Sequence, residues 1–193
     1  MNLVEAWKCI YRTPRETFTV IADKKAIFSV KAYLLRGIAT SILFFLPLVF
    51  LGRSPEPPSF IIFWPTDEYY KIMVFIYPIV SIAILFINGS LVHVILQMLS
   101  KSNDIDKILN VSGIANLATF PLLLSFDWIS LLIFGGLDPI IIGIIHILID
   151  GFYLYIMIIG YHENLGLNWK LTFLLFIVQM IVSVPIAALL FRG

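Results

Sequence analysis

The chain has one cysteine, Cys9, in 193 residues. A single thiol excludes an internal disulfide and a cysteine-built metal cage. Charge is also scarce: 13% of the residues are Asp, Glu, Lys or Arg, against about 25% in soluble domains. No basic patch is dense enough to neutralise phosphates and the formal net charge is +1, so nucleic acid is not an expected partner. No small-residue cleavage site follows a short apolar core near the start, so residues 1–32 read as part of the mature protein. No His-Glu-x-x-His or comparable ligand spacing occurs, and no internal repeat is visible.

Apolar residues fill the place of all these: 60% of the chain is hydrophobic and the mean hydropathy is +0.98. That composition predicts an all-α integral membrane protein. Five runs are long enough to span: Tyr33 to Leu51, Lys71 to Leu99, Gly113 to Phe134, Pro139 to Tyr161 and Leu171 to Phe191. The fourth, PIIIGIIHILIDGFYLYIMIIGY, is about 34 Å long as a helix, enough to cross a hydrocarbon core of about 30 Å. The second exceeds that thickness and carries Pro78, which implies a tilt or a kink. The expected organisation is therefore a cytoplasmic segment over residues 1–32 and a five-helix transmembrane domain over residues 33–193. The loop after the first span holds four of the ten prolines and cannot be helical throughout. Within it, Phe60 to Trp64 reads as an interfacial aromatic anchor, and Gly135 to Asp138, ahead of the fourth span, reads as a tight turn.

Residues 1–32 contain two short helical patterns. Leu3, Trp7, Ile10 and Tyr11 recur at helical spacing, and Thr13-Pro14-Arg15-Glu16 has the form of a capping box with proline at the first helical position. Phe18, Ile21 and Phe28 give the second pattern an apolar side, with Arg15, Lys24 and Lys25 elsewhere. A basic amphipathic helix beside a span is expected in the headgroup layer, although a flank that merely orients the protein accounts for the charges equally well. Placing the N-terminus in the cytoplasm puts ten Lys and Arg inside against Arg53, Lys71 and Arg192 outside, so the C-terminus is expected outside the cell membrane.

Polar residues inside the spans are the candidate site. Measured from the cytoplasmic ends, Asn88 and Asp150 lie about 16 Å deep, Gln179 about 12 Å, His93 about 9 Å and Asn116 about 5 Å. His146 shares a helix face with Asp150, four residues away. Asn88, His93 and Asp150 are expected to face one another, because an aspartate facing lipid costs roughly 2.5–3.5 kcal/mol at mid-span. Within that group Asp150 to Asn88 is the firmer contact. Asp127, near the outer end of its span, is expected to be wetted.

Three readings fit this belt. Its members could hydrogen-bond across helices as structural glue, form a polar path for an ion or small solute, or serve a metal-dependent hydrolase with His93, His146, Asp150, His162 and Glu163. The metal reading is weak on spacing, since His162 and Glu163 sit about 16 Å from Asp150 along the helix. No enzymatic activity, cofactor or metal is expected.

Several motifs point to a family. His93-Val-Ile-Leu-Gln-Met-Leu-Ser ends the second span, a short loop carries Asp104, Asp106 and Lys107, and Val111-Ser-Gly-Ile-Ala-Asn-Leu-Ala-Thr-Phe-Pro121 opens the third. Ile159-Gly-Tyr-His-Glu-Asn-Leu-Gly-Leu167 with Lys170 follows the fourth, and Trp7 and Thr13-Pro-Arg-Glu-Thr-Phe18 precede the first. Together these resemble the Yip family of Rab-interacting membrane proteins, in the short form of its prokaryotic members. The resemblance implies five spans, a cytoplasmic N-terminus and no catalytic residues. It also implies a non-enzymatic role in organising protein partners or lipids, with a small-GTPase-like or membrane-protein partner, or a second copy of the chain. The alternative is a small transporter or channel built on the belt around Asp150.

Overall fold

The computed structural model describes residues 1–54, 65–134 and 139–190. The expected anchor at Phe60 to Trp64, the turn at Gly135 to Asp138, and Phe191 and Arg192 lie outside them. Eight α-helices occur in order among the described residues: α1 (Leu3–Cys9), α2 (Pro14–Ile21), α3 (Ile27–Thr40), α4 (Leu46–Phe50), α5 (Tyr69–Met98), α6 (Ile105–Phe134), α7 (Pro139–Leu165) and α8 (Trp169–Leu190). No strand occurs among the described residues. Among the described residues four stretches are long and apolar enough to cross a membrane: Ile27–Phe50, Thr66–Met98, Ile105–Ile133 and Gly143–Leu165. The described part of α8 adds a shorter one, Trp169–Ser183. The helices outrun the apolar windows of the sequence. α3 begins six residues before Tyr33, because a helix does not stop where the last apolar residue stops.

Prolines shape the long rods. Pro47 has no N–H and its ring crowds the carbonyl four residues back, which belongs to Leu43. The backbone responds with a π turn over Ser41–Phe45 between α3 and α4. The Leu43 carbonyl is then taken by Trp128 of α6, whose indole Nε1 donates to it at 2.9 Å. Phe44 meets Trp128 edge-on and Phe45 meets Tyr77, so an aromatic cluster surrounds this joint. In α5, Pro78 lies against Gly37 of α3. A Cβ on Gly37 would sit 2.7 Å from the Pro78 Cα, so only glycine permits that approach.

The N-terminal helices are built into the bundle. α1 is capped by Asn2 and Glu5 reciprocally, at 2.9 and 2.8 Å, so the chain's capping box is here. Thr13 makes no side-chain cap, contrary to the sequence expectation, and Pro14 alone marks the start of α2. α1 packs on α6 and α2 packs on α7. Thr17, Phe18 and Ile21 are fully buried, the latter two in the main core cluster with Val111, Ile156 and Tyr161. The apolar side of α2 therefore faces protein, which corrects the expectation that it faces the headgroup layer. The reason is Gly160: its missing side chain opens a notch on α7 that the Phe18 ring fills.

Polar contacts fix the turn after α2. The Asn110 amide donates to the Lys24 carbonyl at 2.7 Å and its oxygen accepts from Ser29, with all of Asn110 buried. Asp106 accepts from the Ala26 amide at 2.7 Å. Tyr11 donates its hydroxyl to the Ala118 carbonyl and stacks on Phe152. Partial burial raises the Tyr11 phenol above its usual pKa, while its hydrogen bond with Trp7 acts in the opposite direction.

Candidate functional site

The six polar residues singled out by the sequence fall into three places rather than one belt. α5 packs on α3, α6 and α8, whereas α7 packs on α6, α2 and α8, and among the described residues α5 and α7 do not form a packed pair. Equal depth along two helices is no guarantee of contact when other helices lie between them. The expected Asn88 to Asp150 contact is accordingly not made.

Asn88 instead accepts a hydrogen bond from Ser183 of α8 at 2.8 Å. Gln179 lies one turn before Ser183 on α8 and is 4% exposed, and both of its amide atoms lack a partner among the described residues. His93 leaves the belt altogether. Its Nδ1 contacts the Asn103 carbonyl at 2.6 Å, tying α5 to the loop that leads into α6. That loop turns at Ser100, which adopts a positive φ of 52°.

The third place joins α3, α6 and α7, and it carries most of the chemistry. His146 Nε2 lies 3.3 Å from Asp127 Oδ1, a pair that links α7 to α6. The two side chains keep 42% and 24% of their accessible surface, so neither is enclosed by protein. Asp150, one turn along α7, lies within electrostatic range of His146 and of Arg36 on α3. Arg36 Nη1 donates to the Asn116 carbonyl at 3.4 Å. Arg36 Nε and Asn116 Oδ1 are both buried and have no partner among the described residues.

Hydroxyls continue the line toward the N-terminal end of the bundle. Tyr153 lies three residues beyond Asp150 and interacts with it, with Arg36, with Ser112 of α6 and with Tyr33 of α3. Ser112 Oγ lies 3.3 Å from the Tyr161 hydroxyl, and both residues are fully buried. His146, Asp150, Tyr153 and Tyr161 fall within an arc of roughly 80° on α7, so they form one stripe.

Sequence reasoning leaves Arg36, Asp127, Tyr33, Ser112, Tyr153, Tyr161 and Ser183 out of the belt. Arg36 reads from the sequence as a charged flank. With α3 starting at Ile27, it sits about 13 Å along the helix. The signal for Tyr153 is its i+3 spacing from Asp150. For Asp127 and His146 it is their matching distances from the outer ends of their spans.

His162 Nδ1 contacts the Leu167 carbonyl at 3.2 Å, and Glu163 lies 3.7 Å from Arg15. Both therefore serve the turn into α8 and the seat of α2. No group of three or more His, Cys, Asp or Glu able to hold a metal ion occurs among the described residues. No family model, curated protein or solved structure matches the chain.

Proposed function

We propose that the protein is a five-span membrane protein with its N-terminus in the cytoplasm, acting without enzymatic chemistry to organise lipids or protein partners. The observation that carries this reading is the docking of α1 and α2 onto α6 and α7. It holds Lys8, Arg12, Arg15, Lys24 and Lys25 exposed at one end of the bundle, together with Lys101 and Lys170. A cluster of Lys and Arg beside spans attracts anionic headgroups, each worth about 1 kcal/mol near the surface. Because the segment is anchored by Phe18 and Asn110, its charges are presented in a fixed pattern rather than on a free tail. The resemblance to the Yip family rests on the sequence motifs alone, and a small-GTPase-like partner belongs to that resemblance.

Native mass spectrometry of the detergent-extracted protein tests this reading. Anionic lipids should stay bound to the wild type, with retention falling as salt rises. The triple variant Lys8→Glu, Arg12→Glu, Lys24→Glu should lose them. Equal retention of zwitterionic and anionic lipids by both proteins would refute a lipid-organising role.

A second reading, a small transporter or channel, is favoured by the ionisable line of Arg36, Asp150, His146 and Asp127. Ionisable side chains within apolar helices are costly unless they pair or work. Four of them on three helices exceed what one structural pair requires.

A further inference from the structure

Between the start of α2 and the exposed side of α7 lies an open cavity of about 450 Å³. That volume falls within the range of about 300–1,000 Å³ usual for small-molecule sites. Its α7 wall is formed by Ile158, Ile159 and the ring of Tyr155. Phe152 stacks on Tyr155 and Tyr11 stacks on Phe152, so this wall is braced by the docked N-terminal segment. The opposite wall is polar: Thr13, Arg15 and Glu16 line it, and the Thr13 hydroxyl is not spent on capping α2. Arg15 meets Glu163 through Nε at 3.7 Å. A guanidinium carries five N–H donors, so Arg15 can hold that carboxylate and a second acceptor together.

The apolar wall runs on beyond the cavity. Tyr155, Gly151, Leu148, Ile147 and Ile144 recur at helical spacing along the exposed side of α7, and the four that carry side chains are between 53% and 71% exposed. A Cβ on Gly151 would meet no atom within 4 Å, so nothing obstructs the stripe at its middle. From Tyr155 to Ile144 it is about 16 Å long, close to the ~15 Å that one leaflet contributes to a hydrocarbon core of about 30 Å. A polar wall at the head of an apolar stripe one leaflet long matches the two ends of a phospholipid. Charge then selects the head. Arg15 is the cation of the cavity, Glu16 its anion, and Glu163 already opposes Arg15 from outside it. No surplus positive charge is left for an anionic head, whereas a head with its own cation beside the phosphate satisfies both Arg15 and Glu16.

We propose that this cavity binds one zwitterionic phospholipid from the leaflet nearest α2, with its phosphate on Arg15 and the Thr13 hydroxyl, its ammonium on Glu16, and an acyl chain along the α7 stripe. This inference rests on the lipid-organising reading and names a lipid that the protein holds. Hydrogen bonds between ionised partners are the strong ones, and the apolar wall shields them from salt better than an exposed surface does. The site therefore differs from the basic end of the bundle. There, exposed cations attract anionic heads and salt weakens the attraction; here a single lipid is held with its charges balanced, and added salt has little to screen.

The test uses the full chain in detergent, loaded from an equal mixture of phosphatidylethanolamine and phosphatidylglycerol and read by native mass spectrometry. The wild type should keep one phosphatidylethanolamine per chain, at low and at high salt. The triple variant Lys8→Glu, Arg12→Glu, Lys24→Glu leaves the cavity intact and should keep it too. Ile158→Trp, which fills the cavity from its apolar wall, should lower this retention about tenfold or more. Ile181→Trp, on the exposed side of α8, should retain like the wild type. Glu16→Lys exchanges the anion for a second cation and should turn the preference toward phosphatidylglycerol, a reversal that a merely structural role would not produce. If Ile158→Trp does not stay monodisperse, Glu16→Lys carries the test alone. Wild-type retention in Ile158→Trp, an unchanged preference in Glu16→Lys, or no preference in the wild type overturns the site. Salt-sensitive retention of phosphatidylglycerol that the triple variant loses, with no phosphatidylethanolamine held one per chain, would leave the lipid-organising reading and remove this site. No lipid retained by any of the proteins would remove both.

Discussion

Gly160→Ala is the sharpest probe of the docked N-terminal segment. The added Cβ would lie 2.7 Å from Val111 Cγ1 and 2.8 Å from Cζ of the Phe18 ring, closer than carbon atoms approach without something moving. Val111 sits on α6 and is fully buried, and Phe18 is a rigid ring with no exposed surface, so neither neighbour can yield cheaply. Overpacking of this kind costs typically about 1–3 kcal/mol. A loss of about 2 kcal/mol shifts the docked-to-open equilibrium of α2 by roughly 30-fold. Backbone hydrogen exchange over α2 itself reports that opening, since Thr17, Phe18 and Ile21 are buried when it is docked. Exchange there in detergent should speed by about the same factor. Gly151→Ala on the same helix meets no atom within 4 Å and serves as the control. Adding Phe18→Leu to Gly160→Ala should restore part of the protection by vacating the contested space. Equal exchange over α2 in Gly160→Ala and Gly151→Ala would refute the account of how α2 is held.

Single contacts give further expectations. Trp128→Phe removes the donor to the Leu43 carbonyl and should cost about 0.5–1.5 kcal/mol, read as a lower unfolding temperature. In a Pro47→Ala background, where the helix can use that carbonyl itself, the same change should cost much less, and an equal cost in both backgrounds would argue against the π-turn explanation. Asn110→Leu leaves the Ser29 hydroxyl and Lys24 carbonyl without their partner, and hydrogen exchange should rise over residues 22–29, with unchanged exchange there counting against the contact. Ser100→Gly relieves a positive φ at the end of α5 and should stabilise by about 0.5–1 kcal/mol, a gain that a thermal melt either records or denies. Cysteine labelling in intact cells should find Lys101 to Lys107 and His162 to Lys170 inaccessible from outside, and labelling of the first loop would invert the proposed orientation.

The class of this protein is written in its composition. Apolar runs longer than any soluble helix needs, with so few charges between them, leave helices as the economical way to satisfy the backbone in lipid. Helix interruptions are equally local, because Pro14, Pro47 and Pro78 act on their own backbone within four residues. The stripe of His146 and Asp150 was legible for the same reason, since i, i+4 spacing is a property of one helix. Which helices meet was not legible. Asn88 and Asp150 have matching depths, yet α3, α6 and α8 occupy the space around α5, so Asn88 found Ser183 and Asp150 lies toward Arg36. The seat of α2 was not legible for a related reason: the amphipathic pattern that reads as a headgroup-layer helix fits a protein groove equally well. Only the notch at Gly160, made by a residue 142 positions from Phe18 in the chain, selects the groove. Periodicity reports on neighbours within a helix, whereas partner choice depends on shape complementarity between surfaces distant in sequence, and that complementarity exists only once the helices have packed.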